Sequence, residues 1–157
     1  MGAVHLTDHY LKTDPPTDNE VNTLNEFLEE TLSAQVSIPT PQIPKPPVLV
    51  GIGGTAVNLA SIKLGLAEYD PQQIHGAPLS LQEITDKIRL FRAGTINDRL
   101  MIPGLEARRA DVIIAGAVIV QSILKHVGVE QIYVSTRGLR YGVMYDRFVM
   151  HNPTLSH

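Results

Sequence analysis

Three glycines and a threonine, Gly51, Gly53, Gly54 and Thr55, separate an apolar segment from a helical pattern in the stretch VLVGIGGTAVNLASIKLG. Because glycine lacks Cβ, a turn of this kind brings backbone N–H groups close to an anion. The N-terminus of the following helix adds a favourable dipole. The pattern predicts a phosphate- or nucleotide-binding turn in which Thr55 caps the helix or donates its hydroxyl to a phosphate. The alternative is an ordinary tight turn between a strand and a helix.

Two other phosphate-binding motifs can be compared with this turn. A Walker loop is excluded, because no lysine follows the glycines. The dinucleotide fingerprint G-x-G-x-x-A matches Gly51, Gly53 and Ala56. It also needs a second strand that ends in an acid about 20 residues later. Glu68 and Asp70 are the nearest acids but lie in a loop, so a dinucleotide-binding domain of an oxidoreductase is the less favoured alternative.

Arginines form the second group of candidate ligands. Arg137 and Arg140 lie in the turn TRGLRYG, after a predicted strand. Ligands of open α/β folds bind at this end of the strands, and arginine suits phosphate through bidentate donation. A solvated turn is an equal alternative. Arg108 and Arg109 are expected to pair with acids such as Glu106 rather than to bind substrate.

The sequence offers few other residues that could act in catalysis or bind a metal. The chain has no cysteine, which excludes disulfides, thiolate catalysis and zinc–thiolate sites. His5 and His9 have the i, i+4 spacing of some metal ligands, but no third ligand is evident, so surface histidines are favoured. His75 is expected to make a structural hydrogen bond. No pair of carboxylates is placed for acid–base work, so we predict no catalytic residue and no metal ligand in this chain.

Composition limits the classes of partner. A chain of 157 residues with 43% hydrophobic content is long enough for one domain with a core. Its net charge of -3 gives no electrostatic reason to expect DNA or a membrane surface as a partner. Met1 to Thr7 lacks the features of a signal peptide. Together with the missing cysteines, this predicts a cytoplasmic protein.

The periodicity predicts an α/β domain over residues 1–157 with a thin sheet among several helices. Capping boxes at Thr17–Glu20 and Ser80–Glu83 predict two helix starts. Residues 36–47 contain IPTPQIPKPP and are expected to form an extended connector. The predicted strands are 2–6, 48–52 and 131–135. The strand 48–52 is expected to be buried on both faces and to be a parallel neighbour of 131–135. The other predicted helices are 55–64, 81–91, a core helix over 107–127, and 143–150.

Four segments in order resemble the exopolyphosphatase / guanosine pentaphosphate phosphohydrolase (Ppx/GppA) family. They are GAVHLTDHYLKTDPPT, VGIGGTAVNLASIKLGLAEYDPQQIHG, LMIPGLEARRADVIIAGAVIV and IYVSTRGLRYGV. The resemblance implies a ribonuclease-H-like domain of the actin / sugar kinase / Hsp70 type. It also implies a cleft that binds phosphate and magnesium, with Gly51, Gly53, Gly54, Thr55, Arg137 and Arg140 in its wall. The implied ligands are polyphosphate and guanosine penta- or tetraphosphate.

The chain departs from the family pattern in lacking both aspartate-led phosphate loops and the catalytic glutamate. It therefore resembles the C-terminal part of the second domain, without its first two strands and without the N-terminal domain that would be its partner. Hydrolysis of terminal phosphoanhydride bonds is implied for the intact enzyme, with magnesium as its cofactor, and inactivity for this chain alone. A non-catalytic nucleotide- or polyphosphate-binding module is the alternative. An unpaired 2–6 strand would also favour a homodimer.

Overall fold

The computed structural model describes residues 2–37 and 48–150, with side chains up to Phe148. The predicted connector falls almost wholly outside the described residues, because 38–47 are not among them. Within the described ranges, no helix is long and apolar enough to cross a membrane.

Two helices open the chain, α1 over Ala3–Tyr10 and α2 over Asp18–Gln35. The prediction of a strand over 2–6 is therefore wrong. Val4 is 59% exposed while Leu6 is buried, and α1 packs against α2 and the later helix Ile113–Val127. Five residues carry too little pattern to distinguish a strand from a helix, and the helix buries Leu6 in the core. Thr7 lies inside α1 and does not cap it.

The sheet has three strands, β1 over Leu49–Ile52, β2 over Pro78–Ser80 and β3 over Gln131–Ser135, in the order β1-β3-β2. β1 and β3 are parallel, with Leu49 opposite Ile132. This confirms the prediction that the two apolar strands are neighbours. β2 is antiparallel to β3 and was not predicted from the sequence. The third strand of the sheet is therefore β2 and not the predicted strand 2–6.

Helices connect and cover these strands. They are α3 over Gly54–Leu64, α4 over Pro71–Ile74, α5 over Leu81–Arg92, α6 over Ile96–Arg99, α7 over Ile113–Val127 and α8 over Leu139–Tyr145. A 3-10 turn occupies Ala107–Arg109, so the predicted core helix begins later than expected. A π-helical segment, Asp146–Met150, follows α8 where a simple helix was predicted.

The core lies on one side of the sheet. α7 is buried along most of its length and packs against α1, α2, α3 and α5, as its apolar sequence predicts. The other face is open: Val48, Val50 and Ile52 are 71%, 57% and 55% exposed. The prediction that β1 is buried on both faces is therefore wrong, since β1 is an edge strand that helices cover on one face only.

Candidate phosphate-binding site

The glycine turn lies between β1 and α3. Gly53 has φ 95° and ψ 175°, a conformation that side-chain-bearing residues rarely adopt. The helix follows at Gly54, and its first backbone hydrogen bond runs from the Val57 N–H to the Gly53 carbonyl. No side chain caps this helix, so Thr55 does not serve as the predicted cap. The first N–H groups of α3 therefore have no intrahelical acceptor.

Thr55 packs toward α7. A Cβ built on Gly116 would lie 2.6 Å from the Thr55 Oγ1 atom and 2.8 Å from its Cγ2 atom. The absence of a side chain at Gly116 is therefore what lets α7 approach the start of α3. Donation of the Thr55 hydroxyl to a phosphate stays a prediction.

Arg109 lies directly against the glycine turn. A Cβ built on Gly54 would come within 2.6 Å of the Arg109 Cζ atom and 2.9 Å of its Nε atom. Only glycine leaves room for the guanidinium in this position. The structure thus places a cation beside the open N-terminus of α3.

This guanidinium has no hydrogen-bond or ion-pair partner within residues 2–37 and 48–150, and its Nε atom is buried. The neighbouring Arg108 differs, because its Nε atom donates to Glu106 Oε2 at 2.6 Å. That hydrogen bond raises the pKa of Arg108. The predicted pairing with Glu106 is confirmed for Arg108 and wrong for Arg109.

Asn58 joins the two parts of the site. It is 1% exposed. Its Nδ2 atom donates to the Gly54 carbonyl at 2.9 Å, and its Oδ1 atom accepts from the Glu106 N–H at 2.7 Å. A single buried side chain therefore fixes the loop before Arg109 relative to the first turn of α3.

Two further contacts hold this loop. Gly104 has φ 87°, and a Cβ there would lie 2.6 Å from the Ser61 backbone carbonyl. Arg99, which is 3% exposed, donates from Nε to the Ala110 carbonyl at 2.8 Å and forms an ion pair with Asp14. The backbone on both sides of Arg109 is therefore anchored to buried groups.

The electrostatics of the site favour an anion. The N-terminus of a helix carries a partial positive charge, so a cation beside it is unfavourable without a counter-charge. Arg109 adds a full positive charge at that position. A phosphate oxygen here would accept hydrogen bonds from the free N–H groups of α3 and from the guanidinium.

Arg137 and Arg140 follow the carboxyl end of β3, the same end of the sheet as the glycine turn, but their side chains are held by fewer contacts than that of Arg99. β1 and β3 are parallel, so the segment after β3 emerges on the same side as the glycine turn. Arg137 is exposed; its Cζ atom lies 5.0 Å from the centroid of the Tyr141 ring, and its N–H donates to Ser135 Oγ at 3.1 Å. Arg140 is exposed on α8. Their participation in phosphate binding stays a prediction.

The acids near the turn do not form a dinucleotide site. Asp70 caps α4 by accepting from the Gln72 N–H at 2.9 Å. The side-chain hydrogen bond from Gln73, followed by the backbone N–H groups, lowers the pKa of Asp70. The strand that follows is the antiparallel β2 rather than a parallel strand ending in an acid. The dinucleotide alternative therefore has no structural support.

The described histidines do not form a metal site. The rings of His5 and His9 stack with centroids 6.0 Å apart, and His75 Nδ1 lies 3.5 Å from Ser135 Oγ. In the part of the chain that the structure describes, no three His, Asp or Glu residues gather in a way that could hold a metal ion.

Comparison with known proteins finds a matching family profile and individual relatives. The sequence profile of the Ppx/GppA phosphatase family matches residues 1–151. Exopolyphosphatase 2 of Mycobacterium tuberculosis is 26% identical over 147 residues, which are 91% of this chain and 46% of that protein. A bifunctional 3-dehydroquinate synthase/phosphatase of Fusobacterium nucleatum is 38% identical over 98 residues, 62% of this chain and 14% of that protein.

A solved structure shares the fold. The Ppx/GppA phosphatase of Aquifex aeolicus superposes with a TM-score of 0.85 at 36% identity, over 94% of this chain and 47% of that one. This confirms the α/β, ribonuclease-H-like fold that the resemblance implied. The chain spans about half the length of the exopolyphosphatase and of the solved phosphatase that it matches. It belongs to the Ppx/GppA phosphatase family.

Proposed function

We propose that this chain forms part of the phosphate-binding wall of a cytoplasmic phosphatase that hydrolyses terminal phosphoanhydride bonds. The substrate class is inorganic polyphosphate or guanosine pentaphosphate. Membership of the Ppx/GppA family supports this activity, as does the exopolyphosphatase name of the Mycobacterium relative.

One observation carries the proposal: the unpartnered guanidinium of Arg109 against Gly54, at the uncapped start of α3. A buried donor without an acceptor is costly, and a bound phosphate oxygen removes that cost. Polyphosphate and guanosine pentaphosphate both present the oxygens that such donors bind.

The residues of this chain bind and orient the substrate. Arg109 and the free N–H groups of α3 hold phosphate oxygens and neutralise their charge, which stabilises charge on a transferred phosphoryl group. Gly53 and Gly54 keep the backbone of the turn accessible, and Thr55 is a further candidate donor. Gly51 lies in β1, where a Cβ would meet the side chains of Ile132 and Ala56. Arg137 and Arg140 add positive charge at the carboxyl end of the parallel strands, on the same side as the glycine turn.

Magnesium, which the resemblance implies, is not matched by a ligand set on the described residues. Of the described acids near the glycine turn, Asp70 caps α4 and Glu106 pairs with Arg108, so neither is free to activate water. We therefore expect the purified chain to bind phosphate without hydrolysing it. Phosphoryl transfer needs metal, water and phosphate to be placed together, so an incomplete site loses most of the rate.

The test measures binding and hydrolysis separately. Isothermal titration of the purified chain with inorganic tripolyphosphate should show binding, and Arg109→Ala should weaken it about tenfold or more, the size expected for a lost charge-assisted pair. Arg108→Ala is the matched control, because it removes a neighbouring arginine that is already paired with Glu106. Equal losses in the two variants, or no loss in Arg109→Ala, would contradict the assignment.

Phosphate release from polyphosphate and guanosine pentaphosphate completes the test. We expect none from this chain with added magnesium. Turnover that is lost in Arg109→Ala would show that a catalytic group lies within the chain. Turnover that survives in that variant would point to a contaminating phosphatase.

A further inference from the structure

A side pocket lies along α3, one helical turn beyond the glycine turn. The loop before α7 follows one face of α3, with Arg109 beside Gly54 and Gly104 against Ser61. The side pocket, of about 110 Å³, lies between this loop and α3 at Asn58 and Ser61. At a rise of 1.5 Å per residue these two residues lie roughly 6 and 11 Å beyond Gly54 along the helix axis. A group joined to a phosphate at the helix start would therefore reach the side pocket.

The walls of the side pocket are apolar and acidic. Leu66 and Leu105 supply apolar surface, and Glu68 and Glu106 supply carboxylates. Of the described residues that line it, none is positively charged. Glu106 is paired with Arg108, but Glu68 makes no hydrogen bond or ion pair within residues 2–37 and 48–150. A chain of phosphates continuing along α3 would meet like charge here, which is unfavourable. The side pocket therefore suits an uncharged group that carries N–H donors.

Tyr69 and Glu68 are adjacent residues in the wall of the side pocket. Tyr69 is 56% exposed, so its ring is open to a ligand, and an aromatic side chain binds a planar base by stacking. An ionised carboxylate only accepts hydrogen bonds. Guanine presents two neighbouring donors, N1–H and the N2 amino group, whereas adenine presents its N6 amino group beside an acceptor. Glu68 is therefore matched to guanine and not to adenine.

We propose that Glu68 and Tyr69 are specificity-determining residues that select a guanosine nucleotide over inorganic polyphosphate. This inference rests on the proposed function, because it takes the start of α3 to hold the phosphates. The base stacks on Tyr69, and its N1–H and N2 amino group donate to the Glu68 carboxylate. Asn58 joins the two parts of the site, since it lines the side pocket and its Nδ2 atom donates to the Gly54 carbonyl.

The experiment titrates the full 157-residue chain with tripolyphosphate, GTP and ATP, which share three linked phosphates. We expect GTP to bind about tenfold more tightly than either of the others. Glu68→Gln should weaken GTP binding about tenfold, because a charged acceptor is lost, without weakening tripolyphosphate binding. Glu30→Gln is the matched control: it removes the same charge from an exposed position on α2, outside the side pocket.

A second variant separates stacking from recognition of the base edge. Tyr69→Leu should weaken GTP and ATP about equally, because stacking tolerates any base, and should leave tripolyphosphate binding unchanged. Circular dichroism checks that each variant is folded.

The remaining outcomes distinguish this inference from the proposed function. Tripolyphosphate binding that depends on Arg109, with GTP bound no more tightly, would overturn the inference and leave the phosphate assignment intact. Equal effects of Glu68→Gln and Glu30→Gln on GTP would overturn it as well. GTP binding that depends on Glu68 and Tyr69, without tripolyphosphate binding, would support these two residues and contradict the phosphate assignment.

Discussion

The starts of α2 and α3 are built in opposite ways. At α2, Thr17 accepts from the Glu20 N–H while the Glu20 carboxylate accepts from the Thr17 N–H at 2.7 Å. At α3, the residue before the helix is a glycine with no side-chain cap, and the nearest charged group is the guanidinium of Arg109. One helix start satisfies its own N–H groups, and the other leaves them available.

The start of α3 lacks a stabilising side-chain cap that the start of α2 has. The starts of α5 and α6 also have complete capping boxes, whereas those of α1, α7 and α8, like that of α3, have no side-chain cap. What sets α3 apart is the cation beside its uncapped start. A Ser, Thr, Asp or Asn cap is worth about 1 kcal/mol. α3 lacks this stabilisation and carries an unfavourable cation instead, which is the arrangement expected of a binding site that an anion completes.

The largest effect is expected from Asn58→Ala, which removes the link between the open helix start and the loop of Arg109. The change leaves the Glu106 N–H without its acceptor and opens a buried site, so we expect a loss of about 2–4 kcal/mol of unfolding free energy. Tripolyphosphate binding should weaken as well. Ser61→Ala, one turn further along α3, is the control. Chemical denaturation and titration would contradict the linking role if both variants behaved alike.

Adding a methyl group at Gly54 tests whether the uncapped N-terminus of α3 binds phosphate. Gly54→Ala places Cβ where the Arg109 guanidinium lies, and the guanidinium is the mobile end of a long side chain, so it can move away. Alanine also favours the helix, so we expect unfolding free energy to change by less than about 1 kcal/mol. Tripolyphosphate affinity should fall about tenfold, equivalent to about 1.4 kcal/mol. Unchanged affinity together with a displaced Arg109 would show that the turn is only structural.

Local patterns predicted the capped starts and the paired strands. Thr17–Glu20 and Ser80–Glu83 are recognisable from a spacing of three residues, and the apolar runs of β1 and β3 suffice to predict a parallel pair. The strand predicted at 2–6 was wrong because five residues carry too little pattern to distinguish a strand from a helix, and α1 buries Leu6 and packs against distant helices. β2 was missed because three residues carry too little pattern.

The candidate site was only half predictable for a similar reason. The glycine turn is a local feature, and the sequence shows it plainly. The contact of Arg109 with Gly54 depends on the buried hydrogen bonds of Asn58 and on the close approach of Gly104 to α3. Those contacts join segments that are far apart in the chain, so no periodicity reveals which of two adjacent arginines faces the turn.

The smallest effect is expected at the capped N-terminus of α2, where the contribution of Glu20 to the unfolding free energy depends on pH. Hydrogen bonds from the Thr13 side chain, then from the Thr17 N–H, lower the pKa of Glu20 from 4.5 to about 2. Because the folded-state pKa is the lower one, the stabilisation from ionised Glu20 is complete above about pH 4.5 and is lost as the pH falls toward 2. Glu20→Gln should therefore lower unfolding free energy by up to about 1 kcal/mol at neutral pH, with the difference from the unmodified chain shrinking as the pH falls and vanishing below about 2. Denaturation across this range is the measurement, with tripolyphosphate affinity at neutral pH as the control. A constant difference down to pH 2, or a change in that affinity, would show that the two helix starts are not independent.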